Sequence, residues 1–302
     1  MKKYYYKVYG IKIESEIKIN EFLEIDKLGI NEEKVEIRYG IIPINIMNKL
    51  KSGEYSCENK NEIYLYIEGI ATYLILNGNK VIVDVYKNAD KDKVKIYLLG
   101  SVLGILLLQR NQIAIHGSVI SKNNRAFIIT GDRGAGKSTL TTALRLKKYD
   151  FLSDDVASIS YIDKPLINHG FPYQKLCEDA MEKLEYDKSK YKSFTADNKI
   201  KYLVPVKEKF VTANSELNLI FEIIVGYEDD DVKIEEVKGH DKLKKIFENI
   251  YRKEYITACG GMDKEYFRQC VLISKNIRFY KITRPYCKFT VDKQIELIEK
   301  II

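Results

Sequence analysis

The chain has 302 residues, 45% apolar and 31% charged, which excludes a wholly disordered chain, a collagen and a mucin-like stalk. At roughly 150 residues per domain, the length predicts about two domains. The net charge of +7 arises from 41 Lys and 9 Arg against 43 acidic residues. Scattered and Lys-dominated, that excess reads as a solvated surface and not as a nucleic-acid face.

The first part, residues 1–93, reads as a β-rich N-terminal domain. Alternating apolar and polar residues rich in Ile, Val and Tyr mark strands at 4–13, 34–42, 62–70 and 73–86. Pro43 closes the second, since it has no N–H to give to a ladder. Asn77-Gly78-Asn79 reads as a hairpin turn between apolar strands. Residues 88–93 form a charged connector, and Val94 to Leu108 a largely apolar helix. Its apolar run is too short to span a bilayer, and the N-terminus lacks the apolar run of a signal peptide. The expectation is a soluble cytoplasmic protein with no membrane partner. Cys57, Cys177, Cys259, Cys270 and Cys287 contain no CxxC pair, so reduced thiols are expected instead of a zinc site or a disulfide framework.

From residue 111 strands alternate with helices, and 94–302 reads as an α/β domain. Strands are expected at 113–120 and 125–130, joined by a four-residue loop at 121–124. A helix at 137–147 and a short strand at 149–153 follow. Further on come strands at 218–225 and 232–237, helices at 241–252 and 263–274, a strand at 277–283 and a closing helix from Val291.

Residues Gly131-Asp132-Arg133-Gly134-Ala135-Gly136-Lys137-Ser138 match GxxxxGK[ST], the phosphate-binding loop. The loop follows an apolar strand and opens a helix through Ser138 and Thr139, as its mechanism requires. Glycines let successive N–H groups converge on anionic oxygens, and the helix N-terminus adds partial positive charge. Lys137 is expected to reach the β- and γ-phosphates and the Ser138 hydroxyl to ligate Mg²⁺. Nucleotide binding follows.

The strand at 149–153 returns to the same sheet edge and ends in Asp154-Asp155, which places two carboxylates beside the loop. One can hold Mg²⁺ and the other can accept a proton from an attacking hydroxyl. Asp154 is favoured as base and Asp155 as the metal-side group, although the sequence does not separate them. If the 121–124 turn closes a regular hairpin, His116 falls opposite Ile129, within reach of the phosphates. His169 and His240 have no comparable neighbours and read as structural.

The run Ile113-Ala114-Ile115-His116-Gly117-Ser118, the loop, and Ser153-Asp154-Asp155 together resemble the catalytic domain of HPr kinase/phosphorylase. The wider layout, with its strand-rich front, Leu-rich helix and Gly170-Phe171-Pro172, is closer still to HPr-kinase-like proteins of peptide-modification clusters, including lasso-peptide kinases. The resemblance implies a phosphate-loop kinase domain of the PEP-carboxykinase-like type. It implies ATP and Mg²⁺ as cofactors, and transfer of the γ-phosphoryl group to a serine hydroxyl of a peptide or small protein, such as a ribosomal peptide precursor. His116, Lys137, Asp154 and Asp155 would line the site, with Ser138 on Mg²⁺.

The chain departs from that pattern after the aspartates. Residues 168–179 lack the Glu-and-Gly-rich segment that supplies a metal ligand and the reverse reaction. Glu178 or Asp179 stands as the replacement ligand, and Lys199 and Lys201 as candidate phosphate clamps. No NKxD tetrapeptide argues for a GTPase, and no LSGGQ-like signature for an ABC ATPase. Two alternatives remain: a kinase of a small hydroxylated metabolite, and a non-catalytic nucleotide-binding regulator. The N-terminal part is expected to bind the acceptor or to make a homo-oligomer.

Overall fold

The computed structural model describes residues 2–29, 31–53, 56–196, 199–228, 231–286 and 288–302; Cys287, named above, lies outside them. The other four cysteines are free thiols. Among the described residues no helix is long and apolar enough to cross a membrane. The chain divides into two compact units. Met1–Ala114 with Tyr251–Arg268 forms one, and Ile115–Ile250 with Gln269–Ile302 forms the other.

The first unit holds β1 (Tyr4–Val8), β2 (Ile11–Ser15), β3 (Leu23–Glu24), β4 (Val35–Tyr39), β5 (Cys57–Asn59), β6 (Glu62–Ile67), β7 (Ala71–Leu76) and β8 (Lys80–Val85). They form one sheet in the order β3-β1-β2-β4-β8-β7-β6-β5. The single strand expected at 4–13 is instead a hairpin. Tyr9 and Gly10 both take positive φ, 53° and 78°, the geometry of a two-residue turn, and a Tyr there gave the pattern no turn signal. The expected turn at Asn77-Gly78 is present, again with both φ positive.

Helix α1 (Ile44–Lys51) starts directly after Pro43. Helix α2 (Lys91–Tyr97) begins inside the charged connector, because the Asp90 carboxylate accepts from the Asp92 and Lys93 amides and so caps the end. A π-helical turn at Leu98–Val102 leads into α3 (Leu103–Gln109).

The second unit is built on β9 (Ile113–Lys122), β10 (Arg125–Gly131), β11 (Asp150–Ser153), β12 (Val156–Tyr161) and β13 (Pro165–Asn168). Then β14 (Tyr173–Cys177), β15 (Lys192–Ala196) and β16 (Lys199–Pro205) make a small antiparallel sheet of their own, ordered β14-β16-β15. None of β12 to β16 stands out in the sequence. Ser158 is fully buried within β12, and β16 opens Lys-Ile-Lys, so neither shows clean alternation. Strands β17 (Ser215–Val225), β18 (Lys233–Val237) and β19 (Arg278–Arg284) complete the main sheet, ordered β10-β9-β12-β13-β17-β19-β18. An additional parallel pairing of β17 with β10 joins its two parts.

The β9–β10 connection corrects the expected register. The loop has two residues, not four: Asn123 and Asn124 take φ of 52° and 61°, and Lys122 pairs with Arg125. Thr130 therefore faces Gly117, which leaves His116 level with Gly131 and not with Ile129. A slip of two keeps every side chain on its face, so His116 moves nearer the loop without turning over.

Helix α4 (Lys137–Leu146) follows the loop. After it come α5 (Glu178–Lys183), α6 (Gly239–Glu248), α7 (Lys253–Ala258, in the first unit), α8 (Lys264–Asn276) and α9 (Val291–Glu299). Helices α4 and α9 bury Leu140, Leu144, Val291, Ile295 and Ile298 against Ile129, Phe221, Ile223 and Ile282 of the sheet. Phe127 meets Phe221 and Tyr149 edge-on, with ring centroids 5.6 and 6.1 Å apart. Each leucine so buried stabilises by about 1.5–3 kcal/mol. The core thus fixes the strand and helix that flank the loop.

Gly131 ends β10 with φ 136°, and a Cβ there would lie 2.4 Å from the Ile223 carbonyl oxygen of parallel β17. Both conformation and contact demand glycine. Gly131→Ala is expected to lower unfolding free energy by about 1–3 kcal/mol from backbone strain alone, with the clash adding to it. Urea denaturation measures the loss, and an unchanged midpoint would contradict it.

Candidate active site

The loop sits where β10 hands over to α4. Gly134 and Gly136 take φ of 83° and 103°, which turns the chain tightly around the helix N-terminus. The ammonium of Lys137 donates to the carbonyls of Gly131 at 2.8 Å and Asp132 at 3.1 Å, bridging the loop from within. Burial pulls the Lys137 pKa down, and the carboxylates of Asp155 and Asp154 draw it back up in part. Lys137 therefore lies within electrostatic reach of both aspartates.

A second cation holds the loop from outside. Arg284, at the end of β19, donates Nε to the Ala135 carbonyl at 2.8 Å and Nη2 to that of Gly134 at 3.3 Å. Two loop carbonyls are thereby paired with a guanidinium, which suits a loop whose amides must be left for an anion. Thr139 and Ser138 occupy the first turn of α4, and the Ser138 carbonyl accepts from Thr142 Oγ1 and Gln174 Nε2.

The aspartate pair reaches the same edge by way of β11, which runs antiparallel to β9 and so in the direction of β10. Asp154 is 5% exposed. Its Oδ1 accepts from Ser118 Oγ at 2.6 Å and its Oδ2 from the Lys175 amide at 2.8 Å. Burial, with the Asp155 charge added, pushes its pKa up to about 6.

Asp155 differs in every respect. Its φ is +62°, a left-handed conformation costly for a residue with a Cβ. The Gly117 amide donates to its carbonyl at 3.1 Å, and His116 Nδ1 lies 3.2 Å from the same oxygen. Its Oδ2 takes the Lys175 ammonium at 2.7 Å. Burial acts to raise its pKa, but the Lys175 ammonium outweighs that and holds it below the usual carboxylate range. One carboxylate is thus poised near neutrality, while its neighbour stays ionised.

His116 is kept neutral: burial lowers its pKa, and the Lys137 charge lowers it further. A neutral imidazole facing a carbonyl through Nδ1 carries its proton there. Thr130 Oγ1 lies 2.7 Å from the His116 carbonyl and equally close to Asn249 Oδ1, and Asn249 Nδ2 donates to buried Glu222 at 2.9 Å. This polar chain anchors β9 behind the loop.

His116, Lys137, Asp154, Asp155 and the loop are therefore gathered at one sheet edge. Other candidates are not. Glu178 accepts from Lys188 at 3.0 Å on α5, and no described contact links Glu178 or Asp179 to the aspartates. Among the described residues no group of three or more His, Cys, Asp or Glu side chains is gathered for a metal. The Lys201 charge is felt by Lys137 and Asp155, whereas that of Lys199 acts on Cys177. His169 is buried, with Nδ1 3.0 Å from the Gly170 carbonyl and its ring edge-on to Phe210; His240 is exposed beside Asp241.

The residue most plainly missed in the sequence is Lys175, which touches both carboxylates, one through its amide and one through its ammonium. Its neighbour Gln174 accepts from Thr142 and Arg145 and so ties β14 to α4. Nothing in a Lys-rich chain singles Lys175 out. Ser118 carried a signal, since it stands two residues from His116 on the same face of a strand.

Lys175→Met is expected to let the Asp155 carboxyl pKa rise. Losing a charge-assisted hydrogen bond costs roughly 1.5–3 kcal/mol. The carboxyl resonances of a ¹³C-labelled sample report the shift, and an unmoved Asp155 titration would remove Lys175 from this role.

No family model matches the chain, and no curated protein matches it. Among solved structures it is similar to the HPr(Ser) kinase/phosphatase from Coxiella burnetii, at 12% identity and a TM-score of 0.30. The match covers 62% of this chain and 98% of that one. So loose a likeness adds nothing to the geometry, which stands on the residues described.

Proposed function

We propose that this chain is an ATP-dependent kinase that transfers the γ-phosphoryl group to a serine hydroxyl of a peptide or small protein. One observation carries the reading: a GxxxxGK[ST] loop and a pair of carboxylates with opposed pKa shifts meet at one sheet edge. A mere nucleotide-binding module has no use for a carboxylate tuned to accept a proton near neutral pH.

In this reading the loop amides and Lys137 grip the triphosphate and neutralise charge on the transferring group. Asp154 takes the proton of the attacking hydroxyl, with Ser118 and the Lys175 amide fixing its orientation. The Ser138 hydroxyl and ionised Asp155 suit a hard divalent cation through their oxygens. Mg²⁺ bound there would supply charge neutralisation on the β- and γ-phosphates. Neutral His116 leaves its Asp155-facing proton in place and adds no positive charge that would compete for the phosphates.

The test is incubation of the full chain with γ-labelled ATP, Mg²⁺ and short serine-containing peptides, beside small hydroxylated metabolites. Label on a peptide serine is expected. Label on a metabolite alone, or ATP binding without any transfer, would overturn the acceptor class or the activity.

A further inference from the structure

The described cysteines are free thiols, and two of them meet in the first unit. Cys57 opens β5, and Cys259 directly follows α7. About 200 residues of chain separate them, yet the Cys57 thiol donates to the Ala258 carbonyl at 3.2 Å. A carbonyl oxygen lies about 2.3 Å from the nitrogen of the next residue, so Cys57 Sγ is within roughly 5.5 Å of the Cys259 nitrogen. The side chains meet as well. Burial, then a hydrogen bond between the two thiols, raises the Cys259 pKa.

Cys177 and Cys270 stand differently. Cys270 is fully buried in α8, out of reach of a reagent. The groups acting on Cys177 at the end of β14 are Lys201, Asp179, Lys199 and Arg133.

Both sulfurs of the pair can be reached, and both backbones can yield. Cys57 and Cys259 are half-buried. Strand β5 lies at the edge of its sheet, with a register shift between Cys57 and Asn59 where it pairs with β6. Cys259 is followed by Gly260 and Gly261 at φ 92° and 103°, with nothing within 4 Å of the space a Cβ would take. A disulfide needs its Cβ atoms about 3.5–4.5 Å apart, and an irregular edge strand beside a glycine pair allows the small shifts that reach it.

We infer that Cys57 and Cys259 are a thiol pair that a low-molecular-weight disulfide oxidises to a reversible intramolecular disulfide. The Cys57 thiolate attacks one sulfur of the reagent, which releases one small thiol and leaves a mixed disulfide. Cys259 then gives up its proton and attacks the Cys57 sulfur, which releases the second small thiol. The protein loses two electrons and two protons, and both end on the small thiols. Cys259 keeps its proton at rest, so Cys57 enters first; the Lys60 charge acts to lower the Cys259 pKa and favours the second step.

The bridge would fasten the edge of the front sheet to residues 251–268, which return to that unit after the chain has passed through the loop and the aspartates. Closing so long a loop restrains the unfolded chain and raises thermal stability. The inference stands apart from the kinase reading, because its readouts need no phosphoryl transfer.

The test incubates the full chain, folded and reduced, with oxidised glutathione, then alkylates it with iodoacetamide and maps the digest by mass spectrometry. One peptide pair joined through Cys57 and Cys259 is expected, lost on adding dithiothreitol. The thermal midpoint of the oxidised chain should exceed that of the reduced chain by roughly 5 °C or more. In Cys259→Ser the reaction should stop with glutathione on Cys57, and in Cys57→Ser the thiol at 259 should stay open to alkylation. Circular dichroism matching the unaltered chain checks the fold of each variant. Glutathione retained on Cys57 of the unaltered chain, a bridge from Cys57 to any other cysteine, a link that forms only in urea, or an unmoved midpoint would overturn the inference.

Discussion

Asp154→Asn is expected to lower phosphoryl transfer by about 10²–10⁴-fold, the usual worth of a positioned general base, while ATP still binds. The substitution keeps the shape and one hydrogen-bond acceptor but removes the group that takes the proton. Its pH profile carries a second signature. With a pKa near 6, Asp154 is protonated in more acidic solution, so the wild-type rate should fall as pH drops through that value. The variant should lose that limb.

Stability moves the other way. The raised pKa means that the folded chain holds this proton over a window, from the ordinary carboxyl value of 3.8 to about 6, in which the unfolded chain releases it. That contribution is present at low pH and is lost as pH rises through about 6. A shift of this size corresponds to roughly 3 kcal/mol. The variant should therefore gain on wild type in unfolding free energy between about pH 4 and pH 7, by up to roughly that amount. The Asn amide facing the Lys175 N–H offsets a constant part at every pH. Turnover that survives in Asp154→Asn would remove Asp154 as the base, and an unchanged stability difference would remove the shift.

Lys137→Met should weaken ATP binding and reduce transfer by about 10²–10³-fold, comparable to losing one preorganised donor at a developing charge. Methionine preserves the stem and deletes the ammonium. Burial already disfavours the charged form of Lys137, so the fold should survive the change or gain slightly. Calorimetry of ATP binding beside a thermal midpoint separates the two effects. Undiminished ATP affinity would mean that the loop does not grip phosphates through Lys137.

The two predictions draw on different kinds of information. The eight-residue loop was legible because its chemistry is local: glycine conformations, a helix start and one lysine at fixed spacing. The Asp154-Asp155 pair was legible as a location, since a strand returning after one helix must end at the same edge. What each aspartate does was not legible. Asp154 is raised by burial and by the Asp155 charge, against a hydrogen bond from Ser118 thirty-six residues away, and Asp155 is held down by Lys175, twenty residues away. Lys175 sits in a segment whose strands lack alternation because they are short, partly buried on both faces, or Lys-rich.

Turns followed the same divide. Asn77-Gly78 announced itself and Tyr9-Gly10 did not, while the loop at 121–124 was legible as a hairpin but not in its length of two residues, Asn123-Asn124; all three turns adopt positive φ at both positions. The Asn123-Asn124 turn set the register that brings His116 level with Gly131.

Taken alone, the order of residues determined the loop, the strand and helix on either side of it, and the edge where two carboxylates arrive, because backbone conformation and chain direction are short-range properties. Only tertiary structure decided which carboxyl has its pKa raised towards neutrality, and that Arg284 braces the loop from β19. Proton affinity and charge density depend on burial and on through-space partners, and in this chain those partners are supplied by strands and helices distant in the sequence.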